Sequence, residues 1–128
     1  MIKKLKYIEY TFIDKSNWPR GPWDKEPDKI QFEDEETKLP CLIVRNHSGA
    51  LSGYVGIDEN HPYYNHTDYN LFELDCHGGV TFIGACQENN KEHGICHITE
   101  DEAEDINKWI GFDCAHYDDY IPGNRLFP

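Results

Sequence analysis

A thiol, an imidazole and three carboxylates lie within nine residues near the end of the chain. The segment 111–119 contains Asp113, Cys114, His116, Asp118 and Asp119 directly after an apolar pair at 109–110. Side chains of a strand alternate between two faces, so Cys114 and His116 would share one face and Asp113 would lie on the other. Imidazole and carboxylate groups hold metals and transfer protons, and the spacing therefore predicts a ligand or catalytic site.

Two further segments carry histidines beside glycines. His77 precedes a glycine pair and the β-rich run 80–84, while residues 53–57 read Gly-Tyr-Val-Gly-Ile and are followed by His61 in a His-Pro pair. Glycines at a strand start let backbone or a ligand approach closely. We expect His77 and His116 to converge in one cleft. Tyr54 and His61 would line the same cleft, because the glycines at 53 and 56 leave room beside them.

These motifs resemble those of a family of short, uncharacterised proteins of phages, prophages and other mobile elements. The matching pieces are GYVG, HP, HGGVTF and GFDCAH, spread over roughly residues 50 to 120. Members usually carry Gly-Asp where this chain has Asp118 and Asp119, so Asp119 is the matching carboxylate. The resemblance implies a phage or mobile-element context and candidate positions, but no reaction.

The motif residues leave three alternatives open. His77, His116 and Asp119 would form a His-His-carboxylate set for a divalent metal such as zinc, with an open position for water. In a second alternative, the two histidines bond backbone groups at strand ends and Asp113 caps a turn. A metal-free pocket for a small ligand is the third. Whether the protein is an enzyme stays open.

Two other chemical sites can be considered from the cysteines. Cys96 with His93 and His97 offers zinc ligands. The two histidines would share a face only in a helix, and Gly94 argues against a helix there. The simpler interpretation is that the cysteines are small, buried apolar side chains. Cys114 lies two residues from His116 as in a nucleophilic pair, but the surrounding acids disfavour a thiolate. The first pattern is therefore weak evidence for a zinc site, and the second is weak evidence for a cysteine nucleophile.

Acidic residues give the chain a net charge of −12 and are concentrated in two segments. Such a surface repels phosphates and anionic membranes and attracts a basic protein surface. The sequence therefore predicts a cytoplasmic protein without nucleic-acid or membrane binding, whose partner is a host protein with a basic surface. In the context of the resemblance, this indicates counter-defence or host takeover by inhibition. The alternative is a metal-dependent hydrolase or a binder of a small ligand, including a nucleotide. The candidate protein-binding residues are Asp28, Glu33, Asp34, Glu35, Glu36, Glu100, Asp101, Glu102, Glu104 and Asp105.

Strand signals outnumber helix signals along the 128 residues, which are expected to form one domain. Alternating aromatic and β-branched residues predict strands at 6–13, 38–46, 53–57, 71–76, 80–85 and 108–114, with the apolar run at 39–44 central. Thr99 followed by Glu102 has the form of a capping box and predicts a short helix. The expected class is thus α+β, a mostly antiparallel sheet with one or two short helices. The five cysteines are expected to be free thiols.

Overall fold

The computed structural model describes residues 7–66, 70–71, 73–74, 76, 78–86, 95–96, 105, 107–114 and 121–122. Six strands form one sheet: β1 (Ile8–Tyr10), β2 (Lys29–Glu33), β3 (Pro40–Arg45), β4 (Leu51–Ile57), β5 (Phe82–Gly84) and β6 (Lys108–Asp113). They lie in the order β1-β2-β3-β4-β6-β5, and every neighbouring pair is antiparallel. The prediction of a mostly antiparallel sheet is confirmed, with β3 in one of its two central positions.

The helical part of the predicted class is wrong for the described residues. Their helical structure consists of a four-residue 3₁₀-helix, Pro22–Lys25, and helical residues at 70–71 and 122. The fold is therefore closer to all-β than to α+β. The helix expected after Thr99 lies outside the described residues.

One predicted strand is absent and one observed strand was not predicted. The described residues of 71–76 form helix, turn and bend, since Leu71 and Leu74 both pack against the sheet and their spacing of three does not fit a strand. Strand β2 was not predicted because its polar side chains are the buried ones. Lys29 and Gln31 are buried, whereas the apolar Ile30 and Phe32 are only half-buried.

The strand register divides the sheet into two faces. Residues directly opposite each other on neighbouring strands share a face, and successive residues alternate. What we call the groove face carries Ile30, Phe32, Cys41, Ile43, Gly53, Val55, Ile110 and Phe112. What we call the covered face carries Lys29, Gln31, Leu42, Tyr54, Gly56, Trp109 and Gly111.

Glycines of β4 lie opposite aromatic rings of β6. Gly53 faces Phe112 and Gly56 faces Trp109. A Cβ atom at either glycine would lie only 2.9 Å from the nearest atom of the opposite ring. The Trp109 ring occupies the space beside Gly56, so the expectation of room for a cleft is wrong at that glycine. Gly53 packs against Phe112 and, together with it, lines a cavity described below.

At Gly111 the two strands exchange roles, because here the glycine lies on β6 and the aromatic ring on β4. This β6 glycine lies opposite Tyr54 of β4, and a Cβ atom there would overlap the tyrosine ring. Tyr54 also makes an edge-to-face contact with Phe82, with ring centroids 5.7 Å apart. The glycine-aromatic motifs thus have a packing role in the centre of the sheet.

The groove face is closed at its two ends by different chemistry. At one end, Ile57, Leu71 and Ile110 form a buried apolar cluster. At the other end, the Asp28 carboxylate accepts hydrogen bonds from the backbone N–H groups of Phe12 and Ile13, both 2.8 Å long. These bonds hold the chain that follows β1 against the sheet.

Basic side chains complete the polar end. The Lys15 Nζ lies 2.6 Å from Asp28 Oδ1, and the Arg45 Nε lies 3.5 Å from the same oxygen. Arg45 also donates from Nη2 to Glu26 Oε1 at 2.7 Å. The charge of Asp28 is therefore buried but compensated, as a buried carboxylate requires.

The covered face is sealed. Trp109 is fully buried, and its indole Nε1 donates to Asp105 Oδ2 at 2.8 Å. Lys29 is 1% exposed, and its Nζ donates to the Cys96 carbonyl oxygen at 2.8 Å. Cys96 is itself bonded to Cys86, two residues beyond β5. The described residues Cys86, Cys96 and Asp105, which lie between β5 and β6 in the sequence, therefore pack against this face.

Candidate functional site

An apolar cavity of about 440 Å³ opens on the groove face, between the two closed ends. This volume lies in the range of small-ligand and side-chain binding pockets. Strands β2, β3, β4 and β6 form its floor, and the chain before β5 forms one wall. Its lining includes Phe32, Cys41, Ile43, Gly53, Val55, Ile110 and Phe112 from the sheet, and Leu74, Cys76 and Val80 from the wall.

The two thiols of the cavity behave as apolar lining. Cys41 and Cys76 are half-buried and not disulfide-bonded. Burial raises the pKa of the Cys41 thiol, and the nearby Asp34 carboxylate raises this pKa further. Since the thiolate is the reactive form, a raised pKa gives a thiol that packs rather than attacks. The raised pKa therefore keeps Cys41 as the thiol, which is the less nucleophilic form.

An acidic hairpin tip, Glu33 to Glu36, borders this cavity. It begins one residue after Phe32, and β3 brings Cys41 back opposite Phe32. Glu33, Glu35 and Glu36 are exposed. Asp34 is used by the turn itself: its Oδ2 accepts bonds from the Thr37 N–H and hydroxyl, and these bonds hold the Asp34 pKa below its ordinary value. Glu33 alternates with Phe32 and lies on the covered face, so Glu35 and Glu36 are the exposed acids of the tip that remain available to a partner.

Two of the predicted protein-binding residues do not lie on an exposed surface. Asp28 is 1% exposed and belongs to the polar end of the groove face. Asp105 is 8% exposed; its Oδ1 accepts from the Asn107 N–H and side-chain amide, and its Oδ2 from Trp109. Both carboxylates have structural roles, so assigning them to a binding surface was wrong. Glu100, Asp101, Glu102 and Glu104 lie outside the described residues.

The expectation of five free thiols is also wrong. Cys86 and Cys96 form a disulfide, while Cys41, Cys76 and Cys114 do not. The sulfur atoms of Cys86 and Cys96 and a carboxylate oxygen of Asp105 lie within 4.8 Å of one another. His93 and His97, the other predicted zinc ligands of this region, lie outside the described residues.

The structure brings together part of the predicted histidine site. Asp113 and Tyr54 are neighbours on the covered face: burial raises the Tyr54 pKa, the Ser52 hydroxyl lowers it, and the Asp113 charge raises it. Cys114 donates its N–H to the Leu51 carbonyl oxygen at 2.7 Å. His77, His116 and Asp119 lie outside the described residues, so their convergence stays a prediction.

His61 does not belong to that group. Its N–H donates to the Asp58 carbonyl oxygen, beyond the Ile57 end of β4. Asp113 lies opposite Ser52, at the other end of the same strand. Five residues of strand separate the two ends by about 17 Å. His61 and Asp113 therefore lie near opposite ends of β4. His77 and His116 lie outside the described residues, so a cleft that they share with His61 stays a prediction. In the structure, His61 accepts from the Tyr63 N–H through Nδ1 and contacts its ring.

No protein-family model, curated protein or solved structure matches this chain. Within the part of the chain that the structure describes, no helix is long and apolar enough to cross a membrane.

The groove is the feature that the sequence pattern did not indicate. Its lining comes from four strands and a wall segment that are far apart in the sequence. One signal was present in β2, where the half-buried Ile30 and Phe32 alternate with polar residues. This alternation is typical of a strand with one apolar face, but the charged residues around it concealed the pattern.

Proposed function

We propose that the protein binds another protein, taking apolar side chains of a basic segment into the cavity of the groove face beneath the acidic hairpin tip. The observation that carries this proposal is the continuity of the two surfaces. Phe32 lines the cavity, and the exposed Glu35 and Glu36 follow it in the hairpin tip. An apolar anchor flanked by positive charge fits both surfaces at once.

The composition of the cavity supports a binding role rather than a reaction. The side chains that line it from the groove face are apolar, together with the thiols of Cys41 and Cys76. A pocket of this kind provides contact area but no group of matched pKa for proton transfer. The lining side chains of β2 and β3 are half-buried, so an occupant would remove further apolar surface from water.

Charge supports the choice of a basic occupant. The chain has a net charge of −12, and the exposed Glu35 and Glu36 lie in the hairpin tip beside the cavity. Opposite charges at an interface steer association and exclude wrong partners. With the phage or mobile-element resemblance, this supports an accessory protein that inhibits a host protein in counter-defence or host takeover.

A pair of synthetic peptides tests the binding mode. One is an amphipathic peptide of lysine and leucine, and the other has glutamate in place of every lysine. We expect the purified protein to bind only the basic peptide, and added salt to weaken the binding because exposed charges are screened. Ile43→Gln should reduce the affinity about tenfold or more, since it places an amide among the apolar contacts. Fluorescence anisotropy gives the dissociation constants.

Matched variants separate local charge from net charge. The double variant Glu35→Gln/Glu36→Gln and the single variant Glu59→Lys both raise the net charge by two, and Glu59 is exposed outside the hairpin tip and cavity. The double variant should weaken peptide binding up to about tenfold, while Glu59→Lys should change it little. The proposal would be contradicted if the two charge variants weakened peptide binding equally, or if Ile43→Gln left the peptide affinity unchanged. An apolar dye bound in place of both peptides would point to a small apolar ligand instead.

Phage plating tests the biological role. A bacterial host that carries a defence system is made to express the protein or its Ile43→Gln variant, and plating efficiency of a sensitive phage is compared. We expect protection of the phage by the unmodified protein only. Protection that survives in a correctly folded Ile43→Gln variant would separate the counter-defence role from the groove.

One observation favours the alternative of a histidine site. Strands β5 and β6 are antiparallel neighbours, and the Thr81 N–H donates to the Gly111 carbonyl oxygen. The chain therefore enters β5 at the end of the sheet where β6 finishes. A metal or small-ligand site built from His77, His116 and Asp119 predicts metal or nucleotide binding by the unreduced protein that is lost in His77→Ala. Unchanged binding in that variant would exclude this site.

A further inference from the structure

Three possible metal ligands meet beneath the covered face. The sulfur atoms of Cys86 and Cys96 and a carboxylate oxygen of Asp105 all lie within 4.8 Å of one another. Ligand atoms around a tetrahedral zinc ion lie about 3.8 Å apart when the zinc–sulfur distance is about 2.3 Å. Opening the disulfide would therefore leave two thiols and a carboxylate at separations close to those of a zinc site.

The surroundings of Asp105 orient its carboxylate. Asn107 donates two hydrogen bonds to Oδ1, at 3.0 and 2.9 Å, and the buried Trp109 indole donates one to Oδ2 at 2.8 Å. Metal-binding carboxylates are commonly held by such neighbours, which fix the orientation of the carboxylate group. The position of Asp105 therefore does not depend on the disulfide alone.

The charge balance also fits a cation. Two thiolates and the Asp105 carboxylate carry three negative charges, and a zinc ion leaves one of them uncompensated. The Lys29 ammonium group, 1% exposed, lies 2.8 Å from the Cys96 carbonyl oxygen and supplies one nearby positive charge. Among the described residues these charges sum to zero, and a buried group of charges that sums to zero costs less to desolvate than one with net charge.

We propose that Cys86, Cys96 and Asp105 form a zinc site when the disulfide is reduced, so that the same residues hold the covered face in two redox states. A reduced dithiol supplies the two electrons and two protons that convert the disulfide into two thiols, and itself becomes a disulfide. Zn²⁺ then binds both sulfurs, and the two thiol protons leave to solvent. Water takes the fourth position. Reducing compartments favour the zinc form, and oxidising compartments favour the disulfide.

Zinc titration of the full chain tests this site. The protein is reduced with a phosphine, which becomes the phosphine oxide with oxygen from water, and is then titrated with Zn²⁺ against a chromogenic chelator. We expect one zinc ion per reduced chain and none in the oxidised chain. Cobalt substitution should give a sulfur-to-metal charge-transfer band that chelation removes. Absence of both signals from the reduced chain would overturn the proposal, including the case in which the reduced chain unfolds and zinc does not restore its sheet signal in circular dichroism.

Substitutions identify the ligands. Cys86→Ser should abolish stoichiometric zinc binding, and Asp105→Asn should reduce the affinity about tenfold or more. Cys41→Ser is the matched control, because Cys41 lies on the groove face, and it should leave zinc binding unchanged. Loss of binding in Cys41→Ser with retention in Cys86→Ser would place the metal elsewhere and overturn the assignment. Peptide binding in the groove is measured separately and does not depend on this result.

Discussion

The groove face and the covered face belong to the same six strands but are buried to different extents. On the covered face, Leu42 and Trp109 are at most 1% exposed beneath the chain that carries the disulfide. On the groove face, Ile43 and Phe112 are only half-buried and line an open cavity. The apolar residues of the covered face therefore stabilise the sheet, whereas those that line the cavity of the groove face are partly exposed and available for binding.

The largest expected effect comes from truncating aromatic residues on the two faces of β6. Trp109→Ala should lower the free energy of unfolding by about 3 to 5 kcal/mol, because it empties a fully buried site and leaves Asp105 without its indole donor. Phe112→Ala should cost about 1 kcal/mol, because its ring is already partly exposed. Urea unfolding of both variants measures the difference. Equal losses would mean that the faces do not differ in stabilising power.

The polar end of the groove face should make stability depend on acid. Burial alone would raise the pKa of Asp28, but the Lys15 ammonium and the N–H groups of Ile13 and Phe12 outweigh it and hold the pKa below the ordinary value of 3.8. A carboxylate with a depressed pKa contributes stability above its unfolded value, and this contribution is lost as the pH falls toward the folded value. We therefore expect the loss below about pH 3.8.

Asp28→Asn tests this acid dependence. The substitution breaks a buried charge pair and should cost about 3 kcal/mol at neutral pH. It should also flatten the fall in stability below pH 3.8, since the titrating group is gone. Urea unfolding across the acid range gives both quantities. A variant with the same acid slope as the unmodified protein would assign that slope to other carboxylates.

A smaller effect distinguishes crowded glycines from open ones. Gly111→Ala places a Cβ atom against the Tyr54 ring and near the Gly53 carbonyl oxygen, and should destabilise by about 1 to 3 kcal/mol. Gly79 has open space around it but a φ of +83°. Gly79→Ala should therefore cost about 1 kcal/mol through backbone strain alone. Thermal unfolding of both variants measures which substitution lowers the stability more. A larger loss of stability in Gly79→Ala than in Gly111→Ala would contradict the expected order.

Local pattern predicted most strands because packing and pattern agree there. The apolar run of β3 and the alternation in β6 predict strands, and both form. Strand β2 could not be recognised because its buried side chains, Lys29 and Gln31, are polar, and the Lys29 ammonium group finds its partner, the Cys96 carbonyl oxygen, 67 residues away. Single residues show the same limit, since Asp28 and Asp105 look like surface acids until their hydrogen-bond donors are known.

The candidate sites depended even more on tertiary contacts. Cys86 and Cys96 are ten residues apart, and no spacing rule marks them as a pair. The groove combines strands and a wall segment from separate parts of the chain. The glycine motifs suggested space for a ligand, but rings of the opposite strand pack against both glycines, and of Gly53 and Gly56 only Gly53 lines the cavity.

The two outermost strands of the described sheet, β1 and β5, have three residues each. A strand of that length presents few outward-pointing N–H and C=O groups, so an extended peptide gains little by pairing alongside it. Short edge strands of this kind also disfavour edge-to-edge association of two molecules, which long edge strands promote. Recognition by this sheet is thereby directed to its broad surface, where side chains rather than backbone decide what binds.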